Sequence, residues 1–399
     1  MRIGVVPNLD RSVGGVYQYA VTMLEALADL GTGDEFVVFT YVGDEVPAGV
    51  RLPGPVVELR RSAGPLGVFG AAAARLSRGA GEVDGAWRAF FGRRGIDLLL
   101  FTADNDLAPT TGVPYVVAVH DIQHRLHPEF PEVSADGEWE RRESRLVPLI
   151  AGAAVVLVDS EVGREDVLEH YGSAGIAPEA VRALPFLPAH YLRPADQDAV
   201  IAMRAALGLP ERYLFYPAQF WPHKNHERIV QALGMLAAEG LRLPVVFAGS
   251  HTGVLRDETF ERVMRTAADL DVTDLVHCTG YVPDETMSAL YAGALALVMP
   301  TFFGPTNIPA IEAFEFDCPV ITSDIRGIRE HVGDAALVVD PASAVSIADA
   351  IRRVATEPEV RDGLVARGRA WLAGYTRDDY LAALRGALDT ARKRIGGGR

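Results

Sequence analysis

Three segments of the sequence place polar side chains directly after apolar runs, where they can bind phosphate or sugar hydroxyls. The first is 301–324, TFFGPTNIPAIEAFEFDCPVITSD, which passes through a glycine loop into a helical pattern. Thr306 and Asn307 can cap that helix, and its free N–H groups up to Ile308 can bind a diphosphate. Glu312 lies about one turn further and can accept hydrogen bonds from sugar or ribose hydroxyls. An ordinary capped loop with a surface glutamate explains this spacing equally well.

The second segment is 216–230, YPAQFWPHKNHERIV, which follows a strand-like run. Lys224 precedes the next helical pattern, where its ammonium group can pair with a leaving phosphate. Taken alone, the segment favours a solvent-exposed turn lysine with a helix cap at Asn225. Its functional interpretation therefore depends on the other segments.

The third segment is 116–131, VVAVHDIQHRLHPEFP. His120 and Asp121 come immediately after a strand-like run, and a histidine in that position can donate to a sugar hydroxyl. His124 and His127 are at helical spacing, but they lack a third metal ligand, so polar loop residues are the favoured interpretation.

A glycine pair, Gly14–Gly15, follows the first strand-like run and allows a ligand to approach the backbone closely. The pair alone is a weak signal, because it lacks the spacing of a dinucleotide-binding fingerprint.

Short apolar runs alternating with helical patterns predict the elements that position these residues. Such runs are typical of parallel strands covered by helices on both faces, and ligands of such sheets bind at the carboxyl ends of the strands. The pattern restarts near residue 211, after a proline-rich stretch at 183–198. We therefore predict an α/β protein with two Rossmann-like domains, 1–190 and 191–376, facing across a cleft. The strand-like runs are 2–6, 36–40, 96–101, 114–119 and 153–158 in the first half, and 213–217, 244–249, 275–280, 295–300, 319–323 and 336–340 in the second.

The composition excludes several classes of protein. The chain has 399 residues, 49% of them hydrophobic, which suits two soluble domains. A net charge of −15 argues against nucleic acid as a partner. The only cysteines, Cys278 and Cys318, lie in apolar stretches, so we expect buried thiols and no zinc site. The chain shows no signal-peptide pattern and no apolar run near the ~18 residues of a membrane span, so a cytoplasmic location is expected.

Together these segments resemble the retaining glycosyltransferases of family 4, which have the GT-B fold, and the resemblance covers most of the chain. The similar features, in order, are Gly14–Gly15, His120–Asp121, Lys224 and the P-x-x-E-A helix with its following strand, 309–321. The stretches HDIQHRLHPEF, YPAQFWPHKNH and GYVPDETMSALYAGA are most similar to bacterial members that act on cell-surface or secondary-metabolite glycans.

The resemblance implies transfer of a sugar from a nucleotide diphosphate sugar, such as GDP-mannose or another GDP- or UDP-sugar, with retention and without metal or cofactor. It implies that a last helix, within 377–399, crosses back to the first domain. His120, Lys224 and Glu312 would be catalytic. Gly14, Gly15 and Asp121 would serve the acceptor or a phosphate. The predicted donor-binding residues are Gln219, Gly304, Pro305, Thr306, Asn307, Ile308 and Arg326.

The sequence departs from the family pattern at two positions. Members commonly carry a second glutamate eight positions before Glu312, where this chain has Gly304 in an F-G-P-T-N sequence typical of a family variant. Many also carry an arginine at the position of Gln219. Asn307, the helix N-terminus and Arg326 are the candidates to compensate. Two alternative functions stay open: a non-catalytic GT-B subunit that binds nucleotide sugar, and a sugar-nucleotide epimerase.

The segment 60–94 is the least similar to the family. It mixes arginines with Phe69, Trp87, Phe90 and Phe91. One interpretation is an amphipathic region that binds the acceptor, which is a glycan, a lipid-linked or a small molecule, or touches a membrane peripherally. The favoured interpretation is a helical hairpin whose aromatic side chains fill the core of the first domain.

Overall fold

A computed structural model of the chain describes residues 1–60, 83–188, 192–304 and 308–397. Its internal contacts divide the chain into two compact units. Unit 1 consists of Met1–Arg125, Gly137–Leu187 and Arg377–Arg399, and unit 2 of Leu126–Asp136 and Pro188–Thr376. Each unit therefore combines stretches that are distant in the sequence.

Unit 1 is built on a seven-stranded parallel sheet with the strand order β3-β2-β1-β4-β5-β6-β7. The interior strand β1 is almost entirely buried, and Gly4 in it is required by packing. A Cβ at Gly4 would lie 2.7 Å from Phe39 Cε2 and 2.8 Å from Leu99 Cδ2. The strands are β1 Arg2–Val6, β2 Glu35–Tyr41, β3 Val56–Leu59, β4 Leu98–Phe101, β5 Tyr115–Ala118, β6 Val155–Val158 and β7 Val181–Ala183.

The first and last helices of unit 1 are packed into its core to different degrees. The first, α1, buries a continuous run from Tyr19 to Leu27. The last, α15, buries Tyr380, Leu384 and Leu388, and its Arg377 Nη2 donates to Asp29 Oδ2 of α1 at 2.7 Å. The helices of the segments that carry unit 1 are α1 Gly15–Asp29, α2 Gly85–Gly92, α3 Gln123–Leu126, α5 Glu138–Gly152, α6 Glu161–Tyr171 and α15 Arg377–Gly396.

Unit 2 is built on a six-stranded parallel sheet with the order β10-β9-β8-β11-β12-β13. Its strands are β8 Leu214–Tyr216, β9 Val245–Phe247, β10 Val276–Cys278, β11 Ala296–Met299, β12 Val320–Ser323 and β13 Ala336–Val339. Its helices are α4 Pro131–Ser134, α7 Gln197–Leu207, α8 His226–Ala238, α9 Val254–Asp269, α10 Asp284–Gly293, α11 Ile308–Glu315, α12 Ile328–Val332, α13 Ala344–Thr356 and α14 Pro358–Gly374.

The predicted fold class, α/β with two parallel sheets, is confirmed. Every predicted strand-like run overlaps a strand whose ends differ by at most two residues from the prediction. The prediction missed β3 and β7, which are short and carry exposed positions that break the apolar run. It was also wrong about Cys278, which ends the edge strand β10 and is exposed, whereas Cys318 is buried.

The segment Leu126–Asp136 lies within the predicted first domain, yet it belongs to unit 2. The division near residue 190 falls between Leu187 and Pro188, and Arg377–Arg399 groups with unit 1. That the two domains face each other across a cleft stays a prediction.

Candidate functional site

The loop that carries Lys224 leaves the carboxyl end of β8 and closes in a single 3-10 turn, Pro222–Lys224. The backbone N–H of Lys224 donates to Trp221 O at 2.9 Å, and the Tyr216 hydroxyl donates to Lys224 O at 3.0 Å. The backbone of Lys224 is therefore held on both sides of its Cα.

Asn225 follows the turn with a left-handed backbone, at a φ of 61°. Its amide nitrogen donates to Pro300 O at 2.8 Å and to Pro341 O at 2.7 Å. Asn225 is at the N-cap position of α8, as predicted. Its side chain does not cap the helix, however, and bonds other loops instead. These bonds tie the Lys224 loop to segments that follow β11 and β13.

His226, the first residue of α8, behaves as an aromatic core residue. It is fully buried, and its ring stacks on Phe220 at a centroid distance of 4.3 Å. Burial lowers the pKa of His226 to about 3, and the nearby charge of Lys224 lowers it as well. The ring is therefore neutral, and Nε2 donates to Ala218 O at 3.3 Å.

The loop after β11 lies against the Lys224 loop. The carbonyl oxygen of His223 accepts from Thr301 Oγ1 at 3.1 Å and from the N–H of Phe302 at 2.8 Å. The ring of Phe303 stacks on the His223 ring at 3.9 Å between centroids. Since β8 and β11 are neighbouring strands, the two segments predicted to bind the donor meet at one edge of the sheet.

Gly304 occupies a backbone conformation that favours glycine, with a φ of 135°. A glutamate in this conformation would be strained, so the backbone observed at residue 304 suits glycine. Ile308 is the first residue of α11 and is buried. Pro305, Thr306 and Asn307, predicted to bind the donor, lie outside the described residues.

Glu312 lies in α11 and is only 4% exposed, so the alternative of a surface glutamate is wrong. The hydroxyl of Tyr291 donates to Glu312 Oε2 at 2.6 Å. Sequence reasoning missed Tyr291, because it comes from the neighbouring helix α10 and the apolar run around it gave no sign of a polar contact.

Gln219 accepts two hydrogen bonds at the same oxygen. Arg256 Nη1 donates to Gln219 Oε1 at 2.7 Å, and Trp221 Nε1 donates to it at 3.1 Å. The Arg256 guanidinium also lies 4.7 Å from the centre of the Trp221 ring. The side chain of Gln219 thus holds a cation from α9 beside the Lys224 loop. By contrast, Arg326 is exposed in the turn after β12.

The inserted segment Leu126–Asp136 contacts both loops of unit 2. Glu132 Oε1 accepts from the His223 N–H at 2.9 Å and lies 2.6 Å from His223 Nδ1. His127 stacks on Phe303 at 5.5 Å, and Phe130 packs edge-on against it at 5.3 Å. Neither Glu132 nor these ring contacts were predicted, since they join residues far apart in the sequence.

In unit 1, His120 follows β5 and uses both ring nitrogens. Nδ1 lies 3.1 Å from Asp159 Oδ1, and Nε2 lies 2.9 Å from Thr102 O. A carbonyl oxygen only accepts, so Nε2 carries a proton. Burial lowers the pKa of His120, but the charge and hydrogen bond of Asp159 outweigh it and raise the pKa to about 9. The predicted contact of His120 with a sugar stays a prediction.

Asp121 and the glycine pair also lie in unit 1. Asp121 Oδ1 accepts from Gln123 N and from Arg142 Nη1, both at 3.0 Å. Gly14 precedes α1 with a positive φ of 48°, and Gly15 is the first residue of that helix. One turn further, Tyr19 packs edge-on against His120 at 4.7 Å. The glycine loop and His120 thus contact the same helix.

The other predicted features behave as structural residues where the structure describes them. His124 bonds Glu143 Oε1 at 2.7 Å, whereas His127 belongs to the ring stack of unit 2. Phe91 is buried and packs on Phe39, whereas Trp87, which stacks on Phe91, is half-buried. Most of the predicted hairpin lies outside the described residues, so the hairpin stays a prediction. Phe69 lies outside the described residues. The described residues contain no group of three metal-ligating side chains, and none of their helices is long and apolar enough to cross a membrane.

Comparison with known proteins adds independent information. The model of the glycosyl transferases group 1 matches residues 202–371. O-antigen chain mannosyltransferase B of Escherichia coli is 26% identical over 256 residues, which cover 64% of this chain and 65% of that protein. A D-inositol 3-phosphate glycosyltransferase of Streptomyces bingchenggensis is 27% identical over 296 residues, which cover 69% of this chain and 62% of that protein. The chain thus spans less than two thirds of the length of both curated relatives.

Among solved structures, Anabaena HepE in complex with UDP and glucose is similar with a TM-score of 0.72 and 14% identity, covering 98% of this chain and all of that one. At this identity the likeness concerns the fold. Residues 202–371 therefore match the glycosyl transferases of group 1, and the chain has the GT-B fold of the solved structures to which it is similar.

Proposed function

We propose that this protein transfers a sugar from a nucleotide diphosphate sugar to an acceptor with retention of configuration. The observation that carries the proposal is the meeting of the Lys224 turn with the loop after β11. A cation and the start of a helix then lie at one edge of a parallel sheet, where such folds bind nucleotides. The named activities of the relatives support transfer.

Lys224 would stabilise the charge that builds on the leaving diphosphate. Removing one preorganised donor at a developing negative charge costs about 2.7–4 kcal/mol of transition-state stabilisation. The N–H groups at the start of α11 would share this role. Arg256, held by Gln219 and Trp221, brings a second cation to the same loop, where the family arginine is replaced by Gln219.

Glu312 would bind hydroxyls of the nucleotide ribose. The Tyr291 hydroxyl donates to Oε2 of Glu312 and thereby restrains the orientation of the whole carboxylate, including Oε1. The rigid helix α11 and the buried position of Glu312 limit the conformations that the carboxylate can adopt. Both features reduce the entropy lost when a ligand binds.

Unit 1 would bind the acceptor near Gly14–Gly15, with His120 and Asp121 beside it. His120 carries its positive charge into the neutral pH range. It would therefore contribute a positive charge near the sugar, and no enzyme nucleophile or metal is part of the proposal. The donor classes are GDP- and UDP-sugars, and HepE is an example of a similar fold that was solved with UDP and glucose.

The test is sugar transfer by purified variants, measured with a panel of GDP- and UDP-sugars and extracted cell-surface glycan or small-molecule acceptors. We expect Lys224→Ala to lower kcat/KM by about 10²–10³-fold, and Glu312→Ala to raise the KM for the donor. Arg265→Ala is the matched control, since Arg265 lies exposed on α9 and is 69% accessible. Full activity in both site variants, with intact folding, would contradict the proposal.

Product analysis distinguishes the alternatives. A non-catalytic subunit binds nucleotide sugar without turnover. An epimerase converts the nucleotide sugar when no acceptor is present. Release of nucleoside diphosphate together with an acceptor product of the donor's anomeric configuration identifies retaining transfer.

A further inference from the structure

The inserted segment Leu126–Asp136 places one carboxylate at the turn that carries Lys224. Glu132, in α4, has a side chain that is 5% exposed, and its partner His223 has one that is 10% exposed. Both groups belong to unit 2, although 91 residues separate them in the sequence.

Glu132 engages the turn at two points of the same residue. Its Oε1 accepts from the backbone N–H of His223 at 2.9 Å and lies 2.6 Å from Nδ1 of the same histidine. A single carboxylate oxygen thus fixes both the backbone and the ring of His223. Such a contact restrains the conformation of the turn, whereas a bond to the ring alone would leave the N–H of His223 without this restraint.

The remaining contacts hold the turn from other sides. The carbonyl oxygen of His223 accepts from Thr301 and Phe302, and the carbonyl oxygen of Lys224 accepts from the Tyr216 hydroxyl. Glu132 supplies the bond to the N–H of His223. Removing it releases the side of the turn that faces the inserted segment.

The cost of burying a charge indicates that the Glu132 carboxylate does not serve mainly to stabilise the fold. A buried charge pays a desolvation cost, and an apolar pair of similar volume is often equally or more stabilising. Here Glu132 Oε2 is buried without a hydrogen-bond partner among the described residues, which adds to that cost. Burial raises the pKa of Glu132, but the hydrogen bonds from His223 outweigh it and leave the pKa below its usual range. The carboxylate is therefore retained in its charged form at a cost.

The geometry points to Glu132 as a positioning residue that fixes the Pro222–Lys224 turn and so holds Lys224 in place for a nucleoside diphosphate. The aromatic contacts of His127 and Phe130 with Phe303 anchor the segment that carries it. This inference rests on the proposed role of Lys224, but its structural part is testable without any ligand.

The first measurement is amide hydrogen exchange of the full-length protein by mass spectrometry. We expect Glu132→Ala to speed exchange at least tenfold in peptides covering residues 222–225. Glu132→Gln should restore most of the protection, because its amide oxygen still accepts from the His223 N–H. Glu140→Gln is the control, as Glu140 is an exposed glutamate on α5. Unchanged exchange in Glu132→Ala would overturn the inference.

The second measurement is calorimetric binding of UDP and of GDP. We expect Glu132→Ala to weaken binding of the recognised nucleotide about tenfold, as for loss of one charge-assisted hydrogen bond, and Glu132→Gln to stay within about threefold of wild type. In a Lys224→Ala background, Glu132→Ala should have little further effect, because both changes remove the same interaction.

The outcomes separate the two claims. If wild-type protein binds neither nucleotide, the proposed function fails, while the exchange data still decide whether Glu132 fixes the turn. If the nucleotide binds and the effects of Glu132→Ala and Lys224→Ala on binding are additive, Glu132 acts independently of Lys224 and the positioning role is wrong.

Discussion

His120 shows how the surroundings of one residue change its chemistry. An ordinary histidine is mostly neutral at pH 7. Here both nitrogens are engaged, and Asp159 and Thr102 favour the protonated ring despite burial. The sequence predicted a hydrogen-bond donor after β5, and it could not predict the charge, because Asp159 comes from the end of the next strand in the sheet.

This charge links stability to pH. The folded-state pKa of His120, about 9, is above the unfolded value of 6.5, so its contribution is complete below pH 6.5 and is lost as pH rises through 9. From pH 6.5 to 9.5 we expect the wild-type free energy of unfolding to fall by up to about 3 kcal/mol relative to His120→Gln. Denaturant titrations at several pH values measure this. His170→Gln should behave like wild type, and parallel curves for wild type and His120→Gln would contradict the assignment.

Gly304 is a second residue whose structural role the sequence alone did not predict. From the sequence, its glycine looks like the loss of a ligand-binding glutamate. The positive φ of 135° shows that the loop has a conformation in which a glutamate would be strained. Backbone angles of single loop residues are set by contacts such as the Thr301 and Phe302 bonds to His223, which lie far apart in the sequence.

At the scale of elements, the strands were predictable and the cross-links between helices were not. Apolar β-branched runs identify buried strands without any tertiary information. In contrast, Glu143 on α5 joins three other residues, namely His124, Arg125 and Tyr171, that come from α3 and α6. Charged residues on helices are usually solvated, so their sequence pattern does not reveal such a network.

The Glu143 network predicts acid sensitivity in unit 1. Burial raises the pKa of Glu143, but bonds from Arg125, Tyr171 and His124 outweigh it and lower the pKa from 4.5 to about 2. The stabilisation is therefore present above pH 4.5 and is lost as pH falls toward 2. We expect wild type to lose about 2 kcal/mol relative to Glu143→Gln over this range.

Urea unfolding between pH 5 and pH 2.5 measures this difference. Glu169→Gln on α6, an exposed glutamate, is the control and should follow wild type. Equal losses in wild type and Glu143→Gln would show that the network carries no net free energy.

At the scale of the whole molecule, unit 1 depends on the end of the chain. The helix α15 contributes the fully buried side chains Tyr380, Leu384 and Leu388 to it. Burial of each such side chain is worth about 1.5–3 kcal/mol. A chain ending at Thr376 should therefore lose the cooperative unfolding of unit 1, whereas unit 2 keeps all of its residues.

Differential scanning calorimetry and hydrogen exchange of the truncated chain test this. We expect rapid exchange in β1, β4 and β5 and retained protection in β8, β11 and β12. Loss of protection in both sheets, or in neither, would contradict the division of the chain into these units.

The insertion of Leu126–Asp136 in unit 2 has a consequence for recombination between related genes. A crossover near Leu187 would appear to exchange the whole of unit 2 as one piece. It would in fact leave Glu132, His127 and Phe130 with the other parent, opposite a foreign Lys224 turn and a foreign Phe303. A working chimera must therefore inherit two separate stretches of the gene, so evolution and engineering can exchange this half only as a matched pair of pieces.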